Sequence, residues 1–220
     1  MKRAILFLIP FLITTVLVVG YFKLTQKITA IKIPSLPSVS FSDLVKFSRF
    51  SLDKAPSQSL VGVITSMNGE VKHEKRLATE SAKINSPVPI QQGESLTTGV
   101  DGNLVLTFEK AAEIIISSDT SVGIIQTLPA DLVFSQSSGT VEYKKLASLP
   151  VSIRSLHLLI ENEGDITVSV DKIYPYVTVT INSGSATFAY NNVNNISRVW
   201  KFDAGTTLIF NDDTRRVALK

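Results

Sequence analysis

From Val61 to the C-terminus, apolar and polar residues alternate with a period of two: LVGVI, NLVLTF, EIIISS, VGII, DLVF, TVEY, VSI, ITVSV, YVTVTI, ATFAY and TTLIF. β-Branched residues crowd these runs, which span three to six residues and are separated by Gly, Asn, Asp or Ser. Alternation places every second side chain on one face, so each run predicts a half-buried strand, and the small polar separators predict tight connections. Residues 61–220 are therefore expected to be all-β.

A weak repeat runs through this region, a small or polar residue and glycine followed by alternating apolar positions: NGEVKH at 68, DGNLVL at 101, SGTVEY at 138, EGDITV at 163, SGSATF at 183 and AGTTLI at 204. Each is expected to form a two-residue hairpin turn with positive φ that launches a strand. The starting positions are 33, 37, 25, 20 and 21 residues apart. Such irregularity disfavours a strict solenoid of equal rungs and leaves two architectures, a β-sandwich or an irregular β-roll of short strands.

The first 60 residues follow other rules. Met1, Lys2 and Arg3 precede 19 uncharged residues, Ala4–Phe22. At ~1.5 Å per residue that run just spans ~30 Å of hydrocarbon, with Tyr21 and Phe22 suited to the interface. As a signal anchor, residues 4–22 stay in the inner membrane lipid, residues 1–3 form a cytoplasmic stub, and the rest is periplasmic or extracellular. As a secretory signal, the run is cut near Gly20, after Val18-Val19, and the chain is released. Lys23, Lys27 and the lack of an A-x-A site favour the anchor; a buried core helix is disfavoured because no polar residue interrupts either face. Residues 23–60 read as a tether, with eight serines and three prolines between Pro34 and Leu60. Within it, residues 42–50 place Leu44, Val45, Phe47 and Phe50 roughly on one helical face behind Ser42, as a short amphipathic helix or a frayed linker helix.

Charge separates the same regions. The chain has 22 Lys+Arg and 19 Asp+Glu; residues 1–60 hold eight Lys+Arg against Asp43 and Asp53, a net +6, leaving 14 against 17, a net −3, for residues 61–220. The β region lacks the basic excess that phosphate neutralisation needs, so no nucleic-acid partner is expected. The absence of cysteine removes disulfides, thiolate metal sites and a Cys nucleophile.

Gly93, Gly99 and Gly102 raise the question of a phosphate loop, which needs a Lys-Ser or Lys-Thr ending and a following helix. No Lys follows these glycines, and NLVLTF comes next. They are read as turn residues, in a structural motif of Gly93, Thr98, Gly99, Asp101 and Gly102.

That motif, followed by Leu104, Leu106 and Phe108 and then by EIIISSDTSVGI, resembles the central motif of the FecR-like domain, in which a G-[DE]-x-L-x-T-G turn precedes a D/S-G-x-apolar strand. VGVITSMNGEVKH and VTVTINSGSATF are similar to the opening and closing units of that family, so the resemblance covers about residues 61–210. It implies an exported, non-catalytic sensory or binding domain. Two departures matter. The family's Asp-Gly-Ser hairpin after the strand is replaced by Glu109-Lys110-Ala111-Ala112, so that connection is expected to be longer or helical. Only three residues precede the apolar run, so sigma-factor binding by this chain is not expected.

Other chemistry is sparse. His73, in VKHEKR, reads as a solvated strand end, and His157, in SLHLLI, as a hydrogen-bonded core or edge histidine; neither has a second His at metal-ligand spacing. No G-x-S-x-G elbow supports a Ser nucleophile. Glu161, Glu163 and Asp165 lack the spacing of a calcium loop and read as a polar hairpin tip, and Asp212-Asp213 adds nothing more. No cofactor and no enzyme activity are expected. Late in the chain Tyr174, Tyr176, Tyr190 and Trp200 stand near Asn191, Asn192, Asn194 and Asn195. They suggest a surface for an envelope protein or a cell-wall glycan, against the alternative that the aromatics fill the core around a loop. Two functions follow: a membrane-anchored binding or sensory module, or an envelope scaffold assembling through strand edges.

Overall fold

The computed structural model describes residues 58–220; the predicted stub, membrane segment, helix 42–50 and most of the tether lie outside the described residues. Among the described residues no helix is long and apolar enough to cross a membrane. The chain here is all-β, with 17 strands in one mixed, open hydrogen-bonded sheet.

The strands are β1 (Gly62–Asn68), β2 (Val71–Glu74), β3 (Ala82–Ile84), β4 (Pro89–Ile90), β5 (Ser95–Thr98), β6 (Asn103–Phe108), β7 (Ala112–Ile116), β8 (Ser121–Leu128) and β9 (Asp131–Lys145). They continue with β10 (Val151–Ser155), β11 (Leu158–Asn162), β12 (Asp165–Val170), β13 (Tyr176–Ser183), β14 (Ser185–Asn191), β15 (Ser197–Asp203), β16 (Thr207–Asn211) and β17 (Arg216–Leu219). Pairing divides them into two ladders. One runs β4-β1-β6-β7-β9-β12-β13-β16-β17. The other runs β3-β2-β5-β8-β9-β10-β11-β14-β15.

Strand β9 belongs to both. Its first half pairs with β8 and β10, and its second half with β7 and β12. The change occurs at Gly139, whose φ of 78° lies in the left-handed region that L side chains rarely adopt. A Cβ there would meet Thr120 Oγ1 at 2.1 Å. Because the second half of β9 runs back in the other ladder, residues 146–150 suffice to start β10 parallel to the first half. The helical crossover usual for parallel neighbours is unnecessary.

The alternation predicted from sequence sets the buried face. Leu104, Leu106 and Phe108 of β6, Ile114 and Ile116 of β7, and Val177, Val179 and Ile181 of β13 are all buried. The inner faces of the ladders meet: the rings of Phe108 and Phe134 stand 5.6 Å apart, and those of Tyr190 and Phe210 5.1 Å. Most core polar groups are paired, as burial favours, although the buried Thr127 hydroxyl has no hydrogen-bond partner among the described residues. The Tyr143 hydroxyl donates to Gln136 Oε1 (3.2 Å), and Gln136 Nε2 donates to the carbonyls of Gly139 (2.8 Å) and Val168 (3.0 Å). Burial pushes the Tyr143 phenol well above its usual range.

The glycine repeat is not made of hairpins. β1 and β2, β5 and β6, β11 and β12, β13 and β14, and β15 and β16 are consecutive strands in different ladders, and the glycine motifs at 68, 101, 163, 183 and 204 lie at those crossings. The sixth, at 138, is the bend of β9. The crossings pack on one another: Gly99 N–H donates to Glu70 O (2.8 Å), Asp119 N–H to Gly99 O (2.9 Å) and Ala204 N–H to Gly184 O (2.9 Å). A Cβ on Gly102 would lie 2.1 Å from Glu70 O, so only glycine allows that approach. The true hairpins carry no glycine. β6 and β7 are joined tightly by Glu109, Lys110 and Ala111, with Lys110 itself at φ 56°, which corrects the expectation of a longer or helical link. Likewise ENEGD is a crossing between β11 and β12, not a hairpin tip.

Candidate binding surface

The two ladders end differently. At one end stand β3 and β4, of three and two residues, the latter containing Pro89. Short strands and proline blunt an edge against further pairing. At the other end stand β15, seven residues long and, among the described residues, paired only with β14, and β17, the outermost strand of the other ladder.

Register fixes which groups of β15 are open. Asn192 N–H donates to Ile196 O (3.0 Å) at one end of the β14–β15 ladder, and Ala204 N–H to Gly184 O (2.9 Å) at the other. Antiparallel pairing alternates hydrogen-bonded and non-bonded positions, so the main chains of Arg198, Trp200 and Phe202 face β14 while those of Ser197, Val199 and Lys201 face outward. The side chains alternate as well. Trp200 is registered with buried Phe188, and Phe202 with buried Ala186, on the core side. Leu219 of β17 is likewise registered with buried Leu208. Yet Trp200 is 38% exposed and Leu219 58%, so the core-facing row surfaces at this end.

Charges of both signs stand here, with Asp203 on β15 and Glu161 and Glu163 acting on Lys201. Arg198 and Lys201 lie on β15, Arg216 on β17, and Lys220 follows it. Lys201 Nζ lies 2.6 Å from Glu163 Oε2. The hydrogen bond from Lys201, seconded by one from Ser185, holds the exposed Glu163 carboxyl below the usual carboxylate range. Arg198 and Arg216 form no ion pair among the described residues.

The four predicted aromatic residues separate. Tyr190 is a core residue, 8% exposed, its ring 5.6 Å from Trp200 and 5.1 Å from Phe210. Trp200 is thus brought to it and half-covered. Tyr174 and Tyr176 lie on the hairpin between β12 and β13, 60% and 42% exposed. The Asp171 carboxylate, which accepts the N–H groups of Ile173 (2.7 Å) and Tyr174 (2.9 Å), orders that hairpin. Those N–H groups, Tyr174 first, hold the Asp171 carboxyl below its ordinary value. Sequence reasoning missed Arg198, Val199 and Lys201; the signal was a strand with charges on both faces, which marks an edge.

His73 is buried rather than solvated, and His157 is hydrogen-bonded as expected but stands at an exposed turn. His73 is 5% exposed and its Nε2 lies 2.9 Å from Glu94 Oε2, which also accepts the Gln91 N–H (2.9 Å). This pair borders a cavity of about 690 Å³ whose apolar wall includes Ala82, Ile84 and Val88; no hydroxyl or thiol lines it. His157 sits at the β10–β11 turn with a side chain 58% exposed, its Nδ1 2.9 Å from both carboxylate oxygens of Asp212. Among the described residues no group of three His, Asp or Glu is placed to hold a metal ion.

The turn motif has a structural setting. Thr98 is buried, donates its hydroxyl proton to Ser117 O (2.6 Å) and accepts the Thr120 N–H (3.0 Å). Asp101 Oδ1 accepts the Glu70 N–H (3.2 Å), and Gly93 N–H donates to Ile124 O (2.7 Å). The Thr98 and Asp101 contacts join successive crossings of the two ladders, and Gly93 ties the β4–β5 link to β8.

No known family profile matches the sequence, and no curated protein matches it. Among solved structures, the fold is similar to two crystal structures, at 2.50 and 1.65 Å resolution, of a putative anti-sigma factor from Parabacteroides distasonis. Each has a TM-score of 0.50 and 10% sequence identity, and the likeness covers 57% of this chain and 58% of that one. The chain thus matches little more than half the length of those structures, and the likeness is one of fold. It agrees loosely with the FecR-like resemblance of the sequence.

Proposed function

We propose that this chain is a membrane-anchored, extracytoplasmic binding or sensory module of FecR-like type, contacting a protein or cell-wall partner without catalysing a reaction. The observation that carries this reading is the asymmetry of the β domain: blunted at β3 and β4, open at β15, with Trp200 partly exposed beside main-chain groups that are unpaired among the described residues. A fold with no partner has no need of such an edge, and long open edges recruit other chains. The apolar run 4–22 and the Ser/Pro-rich segment after it support export on a flexible tether. The fold shared with the Parabacteroides distasonis structures fits a role in envelope signalling. In this reading the β domain itself holds neither a sigma factor nor nucleic acid.

The same edge supports a second reading, an envelope scaffold in which copies join through β15. Analytical ultracentrifugation of the full chain in neutral detergent, combined with a reporter fused after Lys220, tests both. An extracytoplasmic reporter and a monomer support the binding module; an extracytoplasmic reporter with concentration-dependent assembly supports the scaffold. A reporter active only in the cytoplasm, or hydrolysis of polysaccharide or peptide by the purified chain, contradicts the proposal.

A further inference from the structure

We infer that the cavity between β3 and β4 is a ligand site, and that its ligand is a primary ammonium group on a short aliphatic stem, either a free amine or the lysine side chain of a partner. The inference goes beyond the binding-module reading and does not depend on the edge at β15.

The cavity, of about 690 Å³, lies between the outermost strands of the two ladders and is lined by Ala82 and Ile84 of β3 and by Val88 and Pro89 at β4. Small-molecule sites span about 300–1,000 Å³. Alternation along β2 puts His73 on the face of buried Val71, and register sets Ala82 of β3 beside it. The polar end of the cavity is therefore His73 with its partner Glu94.

His73 is 5% exposed, and its Nε2 lies 2.9 Å from Oε2 of Glu94, whose side chain is 13% exposed. In the neutral ring Nε2 carries the hydrogen that the carboxylate accepts, which leaves Nδ1 as an acceptor. Nδ1 has no hydrogen bond among the described residues, and neither has Glu94 Oε1; Oε2 also takes the Gln91 N–H. Nor are these two atoms sealed away, since the buried polar atoms without partners among the described residues are Ser59 Oγ and Thr127 Oγ1. Two open acceptors, one of them on a carboxylate, thus belong to groups that line a cavity with apolar walls.

Charge and donor count select the occupant. Two carboxylates, Glu80 and Glu94, against one ammonium, Lys75, leave the lining with a net charge of −1 while His73 is neutral. Lys75 forms no ion pair among the described residues, so it does not neutralise Glu94. A carboxylate or phosphate ligand would bring like charge to Glu94. A neutral alcohol has one donor for two acceptors and leaves the carboxylate charge unmet. No aromatic ring lines the cavity, so a flat stacked ligand gains nothing there. A metal ion finds no group of three ligands among the described residues. A primary ammonium brings three donors and a positive charge, and its methylene stem suits Ala82, Ile84 and Val88.

The probe is n-butylammonium, titrated calorimetrically at pH 8 into the full chain in neutral detergent and compared with butanol, butyrate and Nα-acetyl-lysine methylamide. Butylammonium is expected to bind at least tenfold more tightly than butanol or butyrate, as a charge-assisted hydrogen bond implies. The lysine amide separates the sources: binding like butylammonium assigns the site to a partner's lysine, and failure to bind assigns it to a free amine. Glu94→Gln keeps an acceptor for His73 and removes the charge, so butylammonium should weaken about tenfold to hundredfold, with the fold checked by circular dichroism. Ala82→Phe, at an exposed position registered with His73, should block the cavity without disturbing the core. Nitrogen-15 spectra of the unaltered chain need no variant: butylammonium should move the His73 Nδ1 signal and leave that of His157. No binding of butylammonium, equal binding of butanol, unchanged affinity in both variants, or a shift at His157 instead of His73 overturns the inference.

Discussion

The rings of Phe134 and Tyr143 stand 5.8 Å apart although both residues belong to one strand, β9, because the strand folds over at Gly139 and sets them on opposite inner faces. That contact states the plan of the molecule in small. Strands joined at the glycine crossings face each other across the core, whereas hairpins such as β6–β7 and β10–β11, which pair within one ladder, turn without glycine.

Gly139→Ala should therefore be costly. The residue must hold a positive φ, and its Cβ would meet Thr120 Oγ1 at 2.1 Å and Asp119 O at 2.7 Å. We expect a loss of about 2–4 kcal/mol in urea unfolding followed by circular dichroism. Lys110→Gly, which relieves a non-glycine residue at φ 56° in the β6–β7 hairpin, should raise stability by about 0.5–1 kcal/mol in the same assay.

The buried network around Gln136 predicts an asymmetric pair of substitutions. Tyr143→Phe removes one donor to Gln136 and should cost about 1 kcal/mol. Gln136→Leu strips the Gly139 and Val168 carbonyls of their donor and leaves the Tyr143 hydroxyl without its acceptor, so about 3 kcal/mol is expected. Denaturant midpoints of the two single variants and the double variant check the coupling.

The aromatic residues of the late chain should divide by position. Tyr190→Ala empties a site between Trp200 and Phe210 and should cost about 3–5 kcal/mol, whereas Tyr174→Ala, on an exposed hairpin, should stay within about 0.5 kcal/mol of the parent. Thermal or urea unfolding separates them.

Acid should loosen the β12–β13 hairpin before the core. The Asp171 carboxyl is held below its ordinary value of 3.8 by the N–H groups of Tyr174 and Ile173. A depressed folded-state value stabilises above the ordinary value, and that contribution disappears as pH falls through and below 3.8. Amide exchange at Ile173 and Tyr174 should accelerate relative to Val177 and Val179 across that range, and Asp171→Asn should abolish the pH dependence. Asp131, raised chiefly by burial, shifts the opposite way and favours the folded state at low pH.

Much of this was legible in the sequence. The alternation in NLVLTF, ITVSV and YVTVTI reads directly onto β6, β12 and β13, because a half-buried sheet imposes that period. The glycines were misread because positive φ serves a hairpin and a crossing equally; which of them a Gly dipeptide makes depends on the pairing of strands distant in sequence. Gly102 illustrates the point, since its constraint is the carbonyl of Glu70, 32 positions away. The burial of the histidines was misread for a local reason. His73 sits among charges, but period two puts it on the side of buried Val71, whereas His157, among leucines, is at a turn where the period ends. The open edge at β15 was hidden because edge position is a property of the whole sheet, visible only in the charges on both faces of RVWKF.

Residue-resolved hydrogen exchange of the full chain in neutral detergent tests the central claim, the open edge at β15, most directly. The amides of Arg198, Trp200 and Phe202 should be protected, while those of Val199 and Lys201 should exchange freely. Protection of Val199 and Lys201 in the isolated chain would show that the edge is already occupied and would contradict the account.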